Sequence, residues 1–249
     1  MVPFLAITAC CLRSITTEAD REGTRVSGRT GGFAFLSGGA GRLFGLLFPK
    51  PVNEFVAIQR EFGTIACMTN LAACPNQWDR KQRECKVIIE TPKGRRNKFD
   101  YDPKYGVFAL GGLLPEGLAF PFDFGFIPST LAEDGDPLDV MVFMDEPAHV
   151  GCLVDVRVIG VIEADQIEDG KRTRNDRLIS VAVHSYSHEN LQTLTEAPNS
   201  ILDQVEEFFV SYNKSRGKKF KVKGRHGPKR AAALVDAAIA AFKAKAKKK

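Results

Sequence analysis

Three aspartates crowd the stretch DGDPLD, at Asp134, Asp136 and Asp139, directly before an apolar run. Carboxylates this close repel one another, and burying even one ionised carboxylate is costly unless a cation compensates it. Gly135 and Pro137 are turn formers, so we expect a tight bend with Asp139 at the start of a strand. Mg²⁺ prefers oxygen ligands of this kind, and the spacing of an EF-hand calcium loop is absent. The stretch therefore predicts a magnesium site.

Basic side chains in predicted strands and helices supply groups that could bind an anion beside such a site. Lys98 lies in NKFDYD, Arg177 lies in DRLIS, and Lys218 and Lys219 follow a predicted helix. Each of these alone is typical of a solvated surface. Carboxylates that hold Mg²⁺ opposite Lys and Arg are nevertheless the arrangement that phosphoryl transfer requires. The combination indicates an enzyme that acts on phosphate groups.

The elements that must position these residues are mainly short β-type runs separated by turns, from Lys86 onward. The runs are KVIIET, NKFDYD, GVFAL, DVMVFM, CLVDVRVIGVIEA and RLISVAVH. Because no helical pattern separates them, they predict an antiparallel barrel or sandwich. Two helices follow, one opening at Ser200 with Asp203 as its capping-box partner and one starting at Pro228. The predicted fold class is therefore α+β, a barrel with helices packed on it.

Length and composition fit one globular domain with extensions. The chain has 249 residues, 44% of them hydrophobic, and no apolar run approaches the ~20 residues of a membrane-spanning helix. The net charge of +5 is uneven, because residues 213–249 carry 14 Lys and Arg against one acid. We interpret the terminal lysines as a solvated helix end rather than a nucleic-acid site. The six cysteines lack metal-site spacing, which favours a reducing compartment.

Four motifs follow one another between about Val87 and Ala241: IIETPKGRRNKFDYD, FPFDFGFIP, GDPLDVMVFMDEP and FFVSYNKSRGKKF. In content and order they resemble the opening strand pair, the aromatic segment, the metal loop with its strand, and the helix of the soluble family I inorganic pyrophosphatases. The resemblance implies a five-stranded antiparallel, OB-like β-barrel with flanking helices. It also implies Mg²⁺-dependent hydrolysis of pyrophosphate to two phosphates.

The resemblance further implies roles for individual residues. Asp136 would accept the proton from the attacking water, and Lys98, Arg177 and Tyr212 would hold the phosphates. The implied metal ligands are Asp134, Asp139, Asp169, Asp176 and Glu90, with Asp100 as an additional or supporting group.

Two of the metal positions are open between neighbouring residues. Asn175 aligns with a metal-binding aspartate of the family, and Asp176 lies one place off. Strand alternation would point Asp176 to the opposite face unless a bulge re-aims it. In the acidic hairpin, Asp169 is preferred over Asp165 and Glu168 because its EDG turn best matches the family pattern.

Several positions depart from the family pattern. Phe124 stands where a tyrosine is usual, and Phe120 likewise lacks a hydroxyl. Gly112 stands where an arginine that grips phosphate is common, and Asn213 stands where a lysine is usual, with Lys214 beside it. Lost charge-assisted contacts predict reduced activity. The complete DGDPLD motif predicts that activity is retained.

Residues 1–84 differ in composition from the remainder, with an apolar opening, a Gly-rich run and no sustained periodicity. A signal peptide would begin with basic residues, but the first charge here is Arg13. We therefore divide the chain into an extension (1–84), a pyrophosphatase-like catalytic domain (85–243) and a Lys-rich tail (244–249). We expect a cytoplasmic protein, with organelle targeting by the extension or a misassigned start left open.

Two further functions compete with catalysis. The departures at Gly112, Phe124, Asn175 and Asn213 would suit a catalytically weak metal- and phosphate-binding barrel with a binding or regulatory role. A nucleic-acid-binding barrel would need an exposed aromatic platform, whereas the phenylalanines of FPFDFGF suit a core equally well. We expect pyrophosphate as the partner, a homo-oligomer, and neither membrane nor nucleic-acid binding.

Overall fold

A computed structural model describes residues 70–247, so the predictions made for residues 1–69 and for the last two lysines lie outside the described residues. The strands of the described part are β1 (Glu84–Thr91), β2 (Asn97–Asp102), β3 (Val107–Leu113), β4 (Asp123–Ile127), β5 (Leu138–Phe143), β6 (Leu153–Glu168), β7 (Lys171–Arg174), β8 (Arg177–Ala182) and β9 (Lys219–His226). The helices are α1 (Asn199–Ser215) and α2 (Pro228–Ala246), with single 3-10 turns at Leu71–Ala73 and Leu194–Glu196. This sheet-dominated composition confirms that the fold class is α+β.

The main sheet closes on itself. Its strands pair in the order β1-β4-β5-β8-β6, and β1 also pairs with β6, which completes a ring of five strands. Strands β7 and β9 extend the sheet from β6, while β2 and β3 form a separate two-stranded hairpin. The long strand β6 pairs with four strands, β1, β7, β8 and β9, along different parts of its length. Its register shifts at two places, between Val158 and Gly160 and between Glu163 and Ala164.

The prediction that the sheet is antiparallel throughout is wrong at one pair, because β5 and β8 run parallel. Parallel neighbours need a crossover connection of about a dozen residues or more. Residues 144–176 provide it, since this segment contains the whole β6–β7 hairpin. The chain can therefore re-enter the sheet beside β5 in the same direction.

Both faces of the ring strands are covered, so these strands read as nearly continuous apolar runs. Along β5, Met141 and Phe143 join an apolar cluster that includes the buried residues of α1, while Val140 and Val142 join a second cluster that includes those of α2. Alternate residues of a strand point to opposite faces. Asp139 therefore shares the α1 face of the sheet with Met141 and Phe143.

The two predicted helices are present, but the predicted capping box of the first is wrong. Helix α1 begins at Asn199 after Pro198, which occupies the cap position without a side-chain hydrogen bond. Asp203 pairs with Arg225 of β9 instead of closing a capping box. Helix α2 begins at Pro228, as predicted, because the missing N–H of proline is harmless in the first turn.

Residues 70–83, which the sequence analysis grouped with the extension, pack against the sheet and α2. The Trp78 indole N–H donates to Asp236 Oδ1 over 2.9 Å, and Asn76 Nδ2 donates to the Pro128 carbonyl over 3.0 Å. The backbone N–H of Leu71 donates to the Tyr101 hydroxyl over 2.9 Å. This segment is therefore part of the same structural unit as the strands.

In the described range, no helix is both long enough and apolar enough to cross a membrane.

Candidate active site

One large cavity, of about 1170 Å³, opens on the side of the molecule where the ring strands approach the end of α1. Strands β1, β2, β4, β5 and β8, the β6–β7 turn and α1 all contribute to its wall, and the last turns of α2 close one edge. The predicted site residues that line it are Glu90, Lys98, Asp134, Asp136, Asp139, Asp169, Arg177 and Tyr212. Of the predicted set, Asp176 is the residue that does not line it.

The loop before β5 presents the aspartates as the sequence predicts. Gly135 has a φ of +99°, a backbone conformation that favours glycine, and the Asp136 N–H donates to Asp134 Oδ1 over 3.2 Å. Asp134 and Asp136 are exposed to the cavity, whereas Asp139 lies half-buried at the start of β5. The bend therefore holds two accessible carboxylates above a third.

Lys98 forms a buried ion pair in the cavity wall. Its side chain is only 7% exposed, and Nζ donates to Glu90 Oε2 over 3.0 Å and to Asp100 Oδ1 over 2.6 Å. Glu90 sits where the β1–β4 register shifts, and its Oε1 accepts the backbone N–H of Tyr101 over 3.0 Å. Burial opposes the ammonium charge, but Glu90 and Asp100 together raise the pKa of Lys98. The ammonium thus remains a fixed cation in the wall.

Arg177 provides the second buried cation, from the first residue of β8. Its Nη1 lies 2.5 Å from Asp139 Oδ2, and the residue is only 4% exposed. Its guanidinium carbon lies 4.9 Å from the ring centre of Phe209, 5.6 Å from that of Phe220 and 5.9 Å from that of Phe124. These rings hold the guanidinium by cation–π contact without neutralising it. Phe124 therefore supports the cation, although it lacks the hydroxyl expected at this position.

Asn175 and Asp176 lie next to each other in the short connection between β7 and β8, but they have different surroundings. Asn175 shares the cavity face with Arg177 and hydrogen bonds to it, while its Nδ2 donates to Gln166 Oε1 over 3.1 Å. Asp176 points to the other face, where its Oδ1 accepts Arg174 Nε over 2.6 Å and the Ala164 N–H over 3.0 Å. The prediction of Asp176 as a member of the cavity is therefore not supported by its position.

Asp165, Glu168 and Asp169 are the three candidates for one metal position. They lie at or near the β6–β7 turn, but their surroundings differ. Asp165 is buried away from the cavity and pairs with Arg172 and Lys223, at 2.5 Å and 3.3 Å. Asp169 lies in the turn at the cavity wall, with a φ of +49°, and no ion-pair partner is found for it within residues 70–247. Glu168 also lines the cavity, but its Oε2 pairs with Lys218 Nζ over 2.9 Å.

Helix α1 lines the cavity with Tyr212 and Asn213 in its last turn. Tyr212 packs between Phe120 and Phe208, with ring centres 5.9 Å away in each case. Asn213 is buried, and its Nδ2 donates to the Phe209 carbonyl over 2.8 Å. Asn213 therefore satisfies the helix backbone and brings no charge to the cavity.

Three of the cavity carboxylates are held in surroundings that disfavour their ionised form. Burial raises the pKa of Asp134 and that of Glu90, and a neighbouring carboxylate adds to the effect in both cases. Burial also raises the pKa of Asp139, although Arg177 and Lys98 oppose the shift. Because burial is the main cause in each case, a cation bound beside these carboxylates would stabilise their ionised form.

That donor set fits divalent cations. The ligating atoms are carboxylate oxygens, which hard cations such as Mg²⁺ prefer. In the part of the chain that the structure describes, no three Asp, Glu, His or Cys side chains already converge as a preformed metal site. Two of the carboxylates are instead paired with cations of the protein, Asp139 with Arg177 and Glu90 with Lys98.

The phenylalanines of FPFDFGF are not a surface platform. Phe120, Phe124 and Phe126 are buried, and the half-buried Phe122 packs on Phe143 with ring centres 4.2 Å apart. They line the core and the cavity wall, so the segment offers no exposed aromatic surface for stacking bases.

The cavity residues that sequence reasoning missed include two cations, Arg216 and Lys245. Arg216 lies just past the end of α1, and Lys245 lies in the terminal Lys-rich stretch. Both come from segments without a local pattern that points to a site, since a lysine-rich helix end is typical of a solvated surface.

Fold and cavity together define a class: a sheet-rich α+β protein whose cavity combines a group of carboxylates with two buried cations. Residues 87–243 match the family model described as Pyrophosphatase, Inorganic pyrophosphatase. The match covers more than half of the chain, and the chain belongs to the inorganic pyrophosphatase family. The resemblance to the soluble family I enzymes is thereby confirmed.

Individual relatives agree with this assignment. The chain is 35% identical over 179 residues to the inorganic pyrophosphatase of Thermus thermophilus, covering 71% of this chain and 99% of the relative. It is 36% identical over 163 residues to that of Halalkalibacterium halodurans, covering 64% of this chain and 98% of the relative. The crystal structure of the Thermus thermophilus enzyme superposes with a TM-score of 0.65 at 34% identity, covering 70% of this chain and 99% of that one.

Proposed function

We propose that this protein hydrolyses inorganic pyrophosphate to two phosphate ions, with Mg²⁺ as cofactor and Asp136 as general base. One observation carries the proposal: the Asp134–Asp139 loop, Lys98 and Arg177 line a single cavity. Acidic groups for cations and basic groups for an anion thus lie within reach of one small, highly charged substrate.

The ion pairs of the cavity suggest how substrate and cofactor would be received. Without either, Arg177 neutralises Asp139 and Lys98 neutralises Glu90. A bound phosphate oxygen would compete with the carboxylates for Lys98 and Arg177, and a divalent cation would compete with Lys98 and Arg177 for the carboxylates. With both bound, each buried charge would gain a new partner as it lost the old one, which would limit the desolvation cost.

Asp134, Asp139, Asp169 and Glu90 are the residues that would hold Mg²⁺. Asn175 offers an amide oxygen on the same wall, whereas Asp176 is engaged with Arg174 on the other face. When bound, Mg²⁺ would draw charge from the phosphate oxygens and make the attacking water more acidic.

Asp136 suits the general base because its carboxylate is accessible and uncommitted. It is exposed to the cavity, and no donor or ion-pair partner for its carboxylate is found among residues 70–247. Asp134 by contrast accepts a backbone hydrogen bond, and Asp139 is paired with Arg177. Asp136 would take the proton of the water whose oxygen attacks one phosphorus, while the bridging P–O bond breaks and the second phosphate leaves.

The test is a steady-state phosphate-release assay with the full chain, pyrophosphate and a Mg²⁺ titration. We expect turnover well above the rate without enzyme and dependent on Mg²⁺. Turnover at background would contradict the proposal and favour a metal- and phosphate-binding module. Activity without any divalent cation would contradict the role of Mg²⁺ but not the proposed hydrolysis of pyrophosphate.

A further inference from the structure

Arg216 lines the large cavity and also fills space in a small adjoining hollow, where a strand residue leaves room for it. Gly112 of β3 lies directly opposite Lys98 of β2 in the hairpin register. A Cβ on Gly112 would lie 3.3 Å from Arg216 Nη1, which is closer than an ordinary van der Waals contact. The guanidinium therefore occupies the volume beside position 112, although it comes from the C-terminal end of α1.

Tyr212 orients this guanidinium. Arg216 Nη1 donates to the Tyr212 hydroxyl over 2.9 Å, and the guanidinium carbon lies 5.6 Å from the centre of the same ring. Tyr212 is itself packed against Phe120 and Phe208, so it is a firm support. One hydrogen-bonded edge anchors a group that has five N–H donors, and most of the donors remain available.

Arg216 also differs from the buried cations of the cavity in its charge balance. Lys98 and Arg177 each have a carboxylate partner. For Arg216 no ion pair with an acid is found within the described residues, and its side chain is exposed where it lines the cavity. It can therefore meet an incoming anion without first giving up a carboxylate.

We propose that Arg216 is a substrate-binding residue that contacts a phosphate group of pyrophosphate, and that Gly112 is small in order to admit it. This inference rests on the proposed function. A guanidinium at this place offers parallel N–H groups to phosphate oxygens, the geometry in which arginine binds phosphate most strongly.

The first test replaces Arg216 by Ala and by Lys in the full chain, with Lys214→Ala as a matched control. Lys214 is an exposed cation two residues away that does not line the cavity. We expect Arg216→Ala to raise KM for pyrophosphate by roughly 10- to 100-fold, the loss expected for a hydrogen bond to a charged group. The Mg²⁺ concentration for half activity and the thermal midpoint should stay close to wild type. An unchanged KM, or one that rises equally in Lys214→Ala, would overturn the inference.

The second test moves the cation to the strand. In the Arg216→Ala background, Gly112→Arg places a guanidinium in the vacated volume, and we expect it to recover at least part of the lost affinity. Gly112→Ala in the same background is the control, because it adds a side chain without charge. Recovery in the Ala control equal to that in the Arg variant would show that packing rather than charge is involved, and would contradict the inference.

A binding measurement separates this inference from the proposed function. Imidodiphosphate, which carries the same phosphate groups on a nitrogen bridge, can be titrated by calorimetry in the presence of Mg²⁺. If wild type shows no turnover but Arg216→Ala weakens this binding, the proposed function fails and the inference stands. If wild type turns over pyrophosphate and Arg216→Ala binds the analogue as tightly as wild type, the inference fails and the function stands.

Discussion

The aspartates of the cavity differ in what already contacts them, and this difference separates their roles. Asp139 is paired with Arg177, Asp134 accepts a backbone hydrogen bond, and Asp136 is exposed to the cavity. A carboxylate with free lone pairs can accept a proton without breaking a contact. Substitutions at these positions should therefore have different kinetic signatures.

Asp136→Asn should lower kcat by about 10²- to 10⁴-fold, the usual contribution of a general base. The change keeps the size of the side chain and removes its ability to take a proton. We expect normal folding and a nearly normal Mg²⁺ requirement, measured by steady-state kinetics across a Mg²⁺ titration. Full recovery of turnover by added Mg²⁺ would instead identify Asp136 as a metal ligand.

Asp134→Asn should act mainly on metal affinity. Asparagine keeps the Oδ1 acceptor that receives the Asp136 N–H, so the bend should be preserved while one anionic ligand is lost. We expect the Mg²⁺ concentration for half activity to rise at least roughly tenfold, with most of kcat recovered at saturating Mg²⁺. A lasting loss of kcat at saturating Mg²⁺ would argue that Asp134 also acts in proton transfer.

The role of a residue could be predicted where the residues it acts with lie close to it in the sequence. The crowding of Asp134, Asp136 and Asp139 is visible in one motif, whereas Asp176 was predicted as a metal ligand although Asn175 is the residue that lines the cavity. Arg216 was not predictable, because its significance depends on Gly112, which lies on a distant strand. A single arginine at a helix end carries no pattern that identifies such a partner.

Between elements, an ion network joins β6 to β7 and α2. Glu163 Oε1 accepts Arg230 Nε over 2.7 Å, and its other oxygen pairs with Arg174. Burial alone would raise the pKa of Glu163, but the hydrogen bonds from Arg230 and Arg174 outweigh it and hold the pKa below its ordinary value of 4.5. The protein must then lose stability as Glu163 becomes protonated.

Glu163→Gln should therefore lower the thermal midpoint near neutral pH and matter less in acid. A depressed pKa means that the stabilisation is present above the unfolded-state pKa and is lost as the pH falls through the folded-state value. Unfolding scans from neutral to acidic pH should show that the thermal midpoints of wild type and Glu163→Gln converge below pH 4.5. Glu116→Gln is the control, because Glu116 pairs with Arg96 on the surface with its side chain 88% exposed, and such pairs contribute little. Midpoints that stay equally far apart at all pH values would contradict the expectation.

The elements themselves were predicted unevenly. The runs that became β1, β5 and β8 are apolar enough to identify at once, and Pro228 correctly indicated the start of α2. Strand β9 was missed, since its alternating Lys and apolar residues were read as part of a basic tail. The parallel β5–β8 pair was also missed, because pairing between distant strands is not encoded in either strand alone.

At the scale of the whole molecule, the boundary of the structural unit lies before β1. The contacts of Trp78 and Asn76 with Asp236 and Pro128 tie residues 70–83 to the rest. Homo-oligomeric assembly and a cytoplasmic location stay predictions.

Two truncations test this boundary. A chain that begins at Asn70 should keep the kcat of the full chain, because the described cavity residues all lie between Asn70 and Ala246. A chain that begins at Glu84 should unfold at a lower temperature, since it loses the Trp78 and Asn76 hydrogen bonds, worth about 1 kcal/mol each, and the burial around them. Equal midpoints for the two truncated chains would show that residues 70–83 add no stability.

The closed ring has a consequence for how the protein is made. Strand β1 leaves the ribosome first, but it pairs with β4 and β6, and about 60 residues separate it from β6, or roughly 3 to 12 seconds of synthesis. Until β4 emerges, about 30 residues after β1, both edges of this apolar strand are unpaired, and one edge stays unpaired until β6 emerges, a state that invites pairing with other chains. The feature that leaves the folded ring without a free edge at β1 therefore makes β1 the segment most vulnerable to aggregation in the nascent chain.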